Sequence, residues 1–178
     1  MTNSSNLIDS LEVYVLNNPD DVKPHWVSHF IVPTANELLI KIKNKNGNSG
    51  FGLATSYSDI SPIIKPFSNG LQDFIIGQDP FCPEKIYESI SKLTDTRISS
   101  EKGWSKEALI RISAALDIAC WDLMGKSSNI PLYKLFGGYR NKIPVYVTCG
   151  YYRDGKTETE LREELKKLIE IGHQSFKV

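Results

Sequence analysis

A chain of 178 residues, 40% of them hydrophobic, is long enough and apolar enough to build one globular domain or one and a half. Its 21 Lys and Arg residues balance 21 Asp and Glu residues, so the charge predicts neither nucleic acid nor an anionic membrane surface as a partner. The N-terminal segment lacks a basic region, and Asp9 and Glu12 interrupt its apolar stretch. We therefore expect neither a signal peptide nor a membrane span there, and we expect a cytoplasmic protein.

Cysteine and histidine spacing predicts no metal site in this chain. The cysteines are odd in number, widely separated and without a CxxC pair, which favours free thiols over a disulfide framework or a zinc site: Cys82, Cys120 and Cys149. His25 and His29 stand four residues apart, as a metal-binding pair on a helix would. No HExxH pattern accompanies them, and the segment lacks helical signals, so we assign no metal ligand.

Residues 8–54 carry the period-2 alternation that is typical of β-strands. The alternation is clear in LEVYV, which begins at Leu11, and in ELLIKIK, which begins at Glu37. Asn46-Gly47 predicts a type I′ turn into a third strand, SGFGLA. A long polar insertion, NNPDDVKPHWVSHFIVP, separates the first two strands, and its length is typical of a functional lid or a mobile loop. We predict a three-stranded antiparallel meander with one buried face.

Helical periodicity follows the meander. Apolar residues recur at three- and four-residue spacing after Pro62, and again after Pro83, where each proline suits a first helical turn. The longest predicted helix covers about residues 105–127, with Ser105 as its N-cap and Asn129 after its end. Because this helix is apolar on most of its surface, we expect it to be central.

The last 38 residues have the pattern of a β-α-β unit. IPVYVTCG predicts a fully buried strand, and Thr157 with Glu160 predicts a capping box at the start of a helix. The closing residues SFKV then predict the beginning of a second, parallel strand. Lys177 lies within that short apolar run, where a lysine must be paired, reach water or take part in chemistry.

The order of these elements and the amino-acid sequences of two motifs resemble those of the mandelate racemase and muconate lactonizing branch of the enolase superfamily. The most specific motif is ALDIACWDLMGKSSNIPLYKLFGG, residues 115–138, and it is supported by GFG at residues 50–52, by IPVYVTCG and by IGHQSFKV. The resemblance implies an α+β capping domain over residues 1–140. It implies that residues 141–178 form the first strand, the first helix and the start of the second strand of a (β/α) barrel, so that the chain is a truncated part of a longer enzyme.

The resemblance also implies the chemistry. Family members remove the proton α to a carboxylate and stabilise the resulting enediolate with Mg²⁺, which is held by carboxylates on the third, fourth and fifth barrel strands. Those ligands are expected beyond Val178. Lys177 aligns with the first lysine of the family's lysine-x-lysine motif, beside the substrate carboxylate, and is the catalytic residue that the resemblance implies in this chain.

Three loops supply the candidate substrate-binding residues. The resemblance implies that His25 and Trp26 lie on a lid, although an ordinary surface loop is an equal alternative. Ser56 and Tyr57 fall on the family's second specificity loop, while Leu53 stands where the commoner pattern has a glutamate. Tyr151, like its neighbour Tyr152, follows the first barrel strand and is a candidate pocket wall, with ordinary packing as the alternative.

The leading hypothesis is therefore the N-terminal portion of a Mg²⁺-dependent enzyme acting on a small hydroxy or sugar acid, with dehydration as the favoured reaction. Racemisation, epimerisation or cycloisomerisation is the alternative within the superfamily, and a non-catalytic capping or binding module is the alternative of another class. We expect a homo-oligomer, and we expect this portion alone to be inactive and to bind no Mg²⁺ tightly.

Overall fold

The computed structural model describes residues 5–17, 19, 23–27, 30–32 and 36–178. Within them the elements follow in this order: β1 (Ile8–Leu16), β2 (His25–Val27), β3 (Phe30–Val32), β4 (Asn36–Asn44), β5 (Ser49–Ser56), α1 (Ser61–Ser68), α2 (Pro83–Lys92), α3 (Arg97–Lys102), α4 (Lys106–Ser128), α5 (Leu132–Leu135), β6 (Val147–Thr148), α6 (Glu158–Glu170) and β7 (Phe176–Lys177). No helix in this described part is both long and apolar enough to cross a bilayer.

The chain divides into two compact units. The first unit comprises residues 1–17 and 36–139, and the second comprises residues 18–35 and 140–178. The sequence-based boundary, with a capping domain over residues 1–140 and the start of a barrel over residues 141–178, stays a prediction. Within the second unit, the backbone N–H of Trp26, in β2, donates to the carbonyl of Tyr152 at 2.8 Å.

The predicted three-stranded meander forms the sheet of the first unit, with strand order β1-β4-β5 and antiparallel pairing throughout. The turn between β4 and β5 differs from the prediction. Asn44 and Asn48 close a three-residue loop, in which Gly47 has φ +87° and Asn46 has a negative φ. The loop is thus a type I turn followed by a left-handed glycine, and not the two-residue type I′ turn that Asn46-Gly47 suggested.

Helix α4 lies directly against β5, and two glycines make this approach possible. A Cβ added to Gly50 would come within 2.0 Å of the Ala119 carbonyl oxygen, and one added to Gly52 within 1.9 Å of the Ala115 carbonyl oxygen. Since no side chain fits between the strand and the helix backbone, these positions require glycine. The GFG segment and the ALDIAC segment are therefore two sides of one packing contact.

The helix ends where the sequence predicted. Ser105 adopts an extended conformation and accepts a hydrogen bond from the Ala108 N–H at 3.1 Å, and Asn129 closes the helix with φ +52°. Much of α4 is buried, in keeping with its apolar composition. The described hydrophobic core belongs entirely to the first unit and is made by this helix, the inner face of the sheet, α1, α2 and their connections.

The second unit is a β-α-β unit with a two-stranded hairpin. Strands β6 and β7 pair in parallel, α6 connects them, and β2 pairs antiparallel with β3. The predicted capping box is present, since Thr157 and Glu160 exchange side-chain and backbone hydrogen bonds.

The prediction of a fully buried strand over IPVYVTCG is wrong for the chain by itself. Only Val147–Thr148 forms a strand, and three large side chains before it are mostly exposed: Ile143 at 69%, Val145 at 67% and Tyr146 at 62%. Parallel strands become buried when other elements cover both faces. Among the described residues, β6 has β7 as its strand partner and α6 as its connecting helix, and the apolar side chains that precede β6 stay exposed.

Candidate functional site

Lys177 lies at the carboxyl end of β7, beside the carboxyl end of β6. The register pairs Thr148 with Lys177, and the Cys149 N–H donates to the Lys177 carbonyl at 2.9 Å. Parallel strands bring their carboxyl ends to the same edge of a sheet, which in (β/α) barrels is the edge that carries active sites. The Lys177 side chain is exposed. The lysine that the sequence analysis predicted to be catalytic therefore lies at the carboxyl edge of the two-stranded sheet and is exposed to solvent.

The loop after β6 begins with a glycine that cannot be replaced without strain. Gly150 has φ +74°, and an added Cβ would lie 3.1 Å from side-chain carbons of Leu161 and Val178. Its backbone N–H donates to the Glu164 carboxylate on α6 at 3.1 Å. The turn that starts this loop is thus fixed to the helix that follows it.

Lys156 completes this attachment from the other end of the loop. Its Nζ contacts Glu164 Oε2 at 2.5 Å and donates to the Tyr151 carbonyl at 3.1 Å. The Lys156 side chain is only 17% exposed. Hydrogen bonding to Lys156 and to the Gly150 amide holds the pKa of the Glu164 carboxyl below its ordinary value. We call Gly150, Tyr151, Lys156 and Glu164, joined in this way, the loop clamp.

The hairpin that contains the predicted lid residues contacts this same loop. The ring centroids of His25 and Tyr151 lie 4.6 Å apart, with an interplanar angle of 55°. Trp26 and Tyr152 form an antiparallel bridge through the Trp26 N–H. The structure therefore brings His25, Trp26 and Tyr151 together at the loop that follows β6.

Ser56 and Tyr57 lie in the first unit, at the end of β5. Ser56 is only 6% exposed, and its hydroxyl donates to the Asp59 carbonyl at 3.3 Å and accepts from the Ser58 N–H at 3.3 Å. Both hydrogen bonds of the Ser56 hydroxyl are made within the turn before α1, which they stabilise. Tyr57 is exposed.

The residues that the structure describes hold no group of three or more His, Cys, Asp or Glu side chains that could bind a metal ion. His29, the second member of the possible histidine pair, lies outside the described residues. All three cysteines are free. Burial raises the pKa of the Cys120 thiol to about 12, so that this thiol is not a nucleophile near neutral pH.

Sequence reasoning missed Lys156 and Glu164. A charged pair eight residues apart, one residue in a loop and the other on a helix, has no periodic signature. The one signal available was Gly150 directly after a predicted strand, since glycine at that position often marks a close backbone approach.

Comparison with known proteins identifies relatives. Residues 10–137 match the profile of the family described as mandelate racemase / muconate lactonizing enzyme, N-terminal domain. An arabinonate dehydratase from Saccharolobus solfataricus is 29% identical over 141 residues, which cover 79% of this chain and 36% of the dehydratase. An L-Ala-D/L-Glu epimerase from Clostridium acetobutylicum is 28% identical over 161 residues, which cover 88% of this chain and 40% of the epimerase.

A solved structure has the same fold. A racemase from Streptomyces coelicolor A3(2) with bound magnesium gives a TM-score of 0.78 at 23% identity, covering 96% of this chain and 46% of the racemase. This chain therefore spans less than half the length of each of these three proteins.

Proposed function

This chain belongs to the mandelate racemase and muconate lactonizing enzyme family, and on that premise we propose that it is the N-terminal portion of a Mg²⁺-dependent enzyme that removes the proton α to a carboxylate of a small hydroxy or sugar acid. The observation that carries the proposal is the position of Lys177. It lies at the carboxyl end of the second parallel strand, next to the loop that carries Tyr151.

Dehydration is the favoured reaction. A sugar acid that loses its α-proton forms an enediolate. The β-hydroxyl, protonated by a general acid, then leaves as water, and the resulting enol takes up a proton at C3 to give a 2-keto-3-deoxy acid. The similarity to an arabinonate dehydratase supports this choice. The similarity to an L-Ala-D/L-Glu epimerase supports the alternative, in which the proton returns to the opposite face.

We assign Lys177 to the substrate carboxylate. An ammonium there offsets the negative charge that develops on the carboxylate oxygens as the α-proton leaves, and this stabilises the transition state more than the ground state. His25, Trp26 and Tyr151 would form the wall above that position, where their rings exclude water and contact the distal end of the acid. Ser56 acts by shaping its turn, and Tyr57, exposed after β5, stays a predicted substrate contact.

The described residues do not supply a magnesium site, because no three metal-ligating side chains lie together among them. We propose that the ligands lie in barrel strands beyond Val178. A structural neighbour with bound magnesium supports the choice of cation.

The experiment is to read the gene past the codon for Val178 and to assay the protein that it encodes. We expect a lysine directly after Val178 and carboxylates at the ends of three successive strands. Incubation in D₂O with arabinonate should yield a keto acid, whereas epimerisation of a dipeptide such as L-Ala-L-Glu would exchange the α-proton without loss of water.

Substitution separates the role of Lys177 from general effects of lysine loss. Lys177→Met should abolish the reaction. Lys166→Met is the control, since Lys166 is exposed on α6 and pairs only with the exposed Glu163 among the contacts described. A stop codon after Val178, together with a folded monomer in solution, would instead favour the non-catalytic capping or binding module and would also remove the expectation of a homo-oligomer.

A further inference from the structure

We propose that Lys156 and Glu164 are positioning residues: their ion pair fixes the loop after the first barrel strand in the one conformation that docks the His25–Trp26 hairpin. The proposal deepens the proposed function, on which its catalytic meaning rests, since it assigns the residues that hold the lid's docking surface.

The loop clamp ties the loop to α6 at both of its ends. Glu164 accepts from the Gly150 N–H with one carboxylate oxygen and from Lys156 Nζ with the other. Lys156 also donates to the Tyr151 carbonyl. Glu164 on α6 therefore holds Gly150, at the start of the loop. Lys156, near the end of the loop, donates to Tyr151, the residue directly after Gly150.

The clamp sets the direction of two consecutive peptide groups. With Gly150 held at φ +74° and the Tyr151 carbonyl turned toward Lys156, the Tyr151 ring is directed to His25 and the Tyr152 carbonyl to the Trp26 N–H. Rotation of the Tyr151 peptide would break the hydrogen bond to Lys156 and redirect the Tyr152 backbone. The ion pair and the docked hairpin are thus geometrically coupled through two residues.

The position of Lys156 suits this role better than that of an ordinary surface lysine. Its side chain is 17% exposed, against 58% for Lys166 on the same helix-loop unit, and it has two acceptors where Lys166 has one. Charge-assisted hydrogen bonds that are partly shielded from water are stronger and more directional than exposed ion pairs.

Amide hydrogen exchange on this chain tests the coupling. The reporter is the Trp26 amide, whose exchange requires opening of its bond to the Tyr152 carbonyl. Lys156→Met keeps the length and apolar stem of the side chain and removes the charge. We expect it to raise the Trp26 exchange rate by about tenfold or more, with loss of the ring-current shift that His25 and Tyr151 impose on each other.

Three comparisons make the result specific. Lys156→Arg should restore most of the Trp26 protection, because it returns the charge and the donors. Lys166→Met should leave Trp26 unchanged. Amides inside α6 should keep their protection in Lys156→Met, since the capping box and the helix ladder remain.

The proposal is overturned if Trp26 exchanges equally in the wild type and in Lys156→Met, or if the wild-type amide already exchanges at the rate of an unstructured peptide. It is also overturned if α6 and Trp26 lose protection by the same factor, because the pair would then be a general stabiliser of the unit. None of these results depends on enzymatic turnover, so a failure here leaves the proposed reaction standing, and absence of turnover leaves the coupling intact.

Discussion

The two units of this chain have similar proportions of apolar residues and bury them very differently. The first unit encloses a continuous core around α4, in which Leu109, Ile112 and Leu116 are fully buried. In the second unit Ile143, Val145 and Tyr146 stand largely in water, although their sequence is as apolar as a core strand. The first unit thus supplies partners for the apolar residues around α4, and the described part of the second does not do so for the segment before β6.

This difference shows what each unit is built to do. A capping domain needs a rigid frame of its own, and the glycine-mediated contact of β5 with α4 provides it. A barrel strand gains its burial from neighbours on both sides and both faces. The second unit contributes polar and aromatic groups at one strand edge. The loop clamp holds them in place, in a unit that buries few apolar side chains.

The largest expected effect is at the contact between strand and helix. Gly52→Ala should lower the free energy of unfolding by about 4 kcal/mol, because the added Cβ meets the Ala115 carbonyl at 1.9 Å and the helix must move. Chemical denaturation measures this. Leu53→Ala, on the opposite and partly exposed face of the same strand, is the matched control and should cost less than about 1 kcal/mol. Equal losses would show that the close approach is not a stability requirement.

Truncation of equivalent apolar side chains compares the two units directly. Leu116→Ala should cost about 3 kcal/mol, since it leaves a cavity in a fully buried site. Ile143→Ala, at a side chain that is 69% exposed, should change stability by less than about 0.5 kcal/mol. Thermal unfolding of both variants under the same conditions is the measurement. A large loss from Ile143→Ala would mean that this segment is covered in solution.

The loop clamp should respond to acid. The pKa of Glu164 is lowered in the folded state, so its contribution to stability is present above its unfolded value of about 4.5 and is lost as the pH falls through the folded pKa. The effect should be below about 1 kcal/mol, because Glu164 is 37% exposed and solvent screens the pair. Stability measured from pH 7 to pH 3 in the wild type and in Glu164→Gln isolates this contribution. Identical pH profiles for the two proteins would argue against the ion pair.

The smallest expected effect is that of Mg²⁺. Titration calorimetry of the chain with MgCl₂ should give no tight binding, because the described residues do not bring three metal-ligating side chains together. A micromolar dissociation constant would contradict this and would place ligands within the chain itself.

Much of the first unit could be predicted from sequence because its signals are local and periodic. Alternation identified the strands, and Ser105 and Asn129 marked both ends of α4. The turn type at Asn46-Gly47 was missed because the side chain of Asn44 accepts from the Asn48 N–H and favours a longer loop. That preference comes from a residue outside the dipeptide that normally decides the turn.

The candidate site was only partly predictable, for a physical reason. Motif sequences and positions after predicted strands were enough to find Lys177, Tyr151 and the His25–Trp26 segment. The docking of His25 on Tyr151 and the Lys156–Glu164 pair depend on tertiary contacts between segments that carry no shared period. Burial of the IPVYVTCG strand was wrongly expected. An apolar segment is buried only when other elements cover it, and the composition of the segment does not show whether those elements are present.

Residue-resolved hydrogen exchange across the whole chain tests the central contrast most directly. In the first unit, the amides of Ile40 and Leu116 should exchange only through global unfolding. In the second, the amides of Val147 and Cys149, which donate to the carbonyls of Ser175 and Lys177, should exchange at least about 100-fold faster through local opening, while remaining slower than an unstructured peptide. Equal protection of the two sets would contradict the account, since the second unit would then be as self-sufficient as the first.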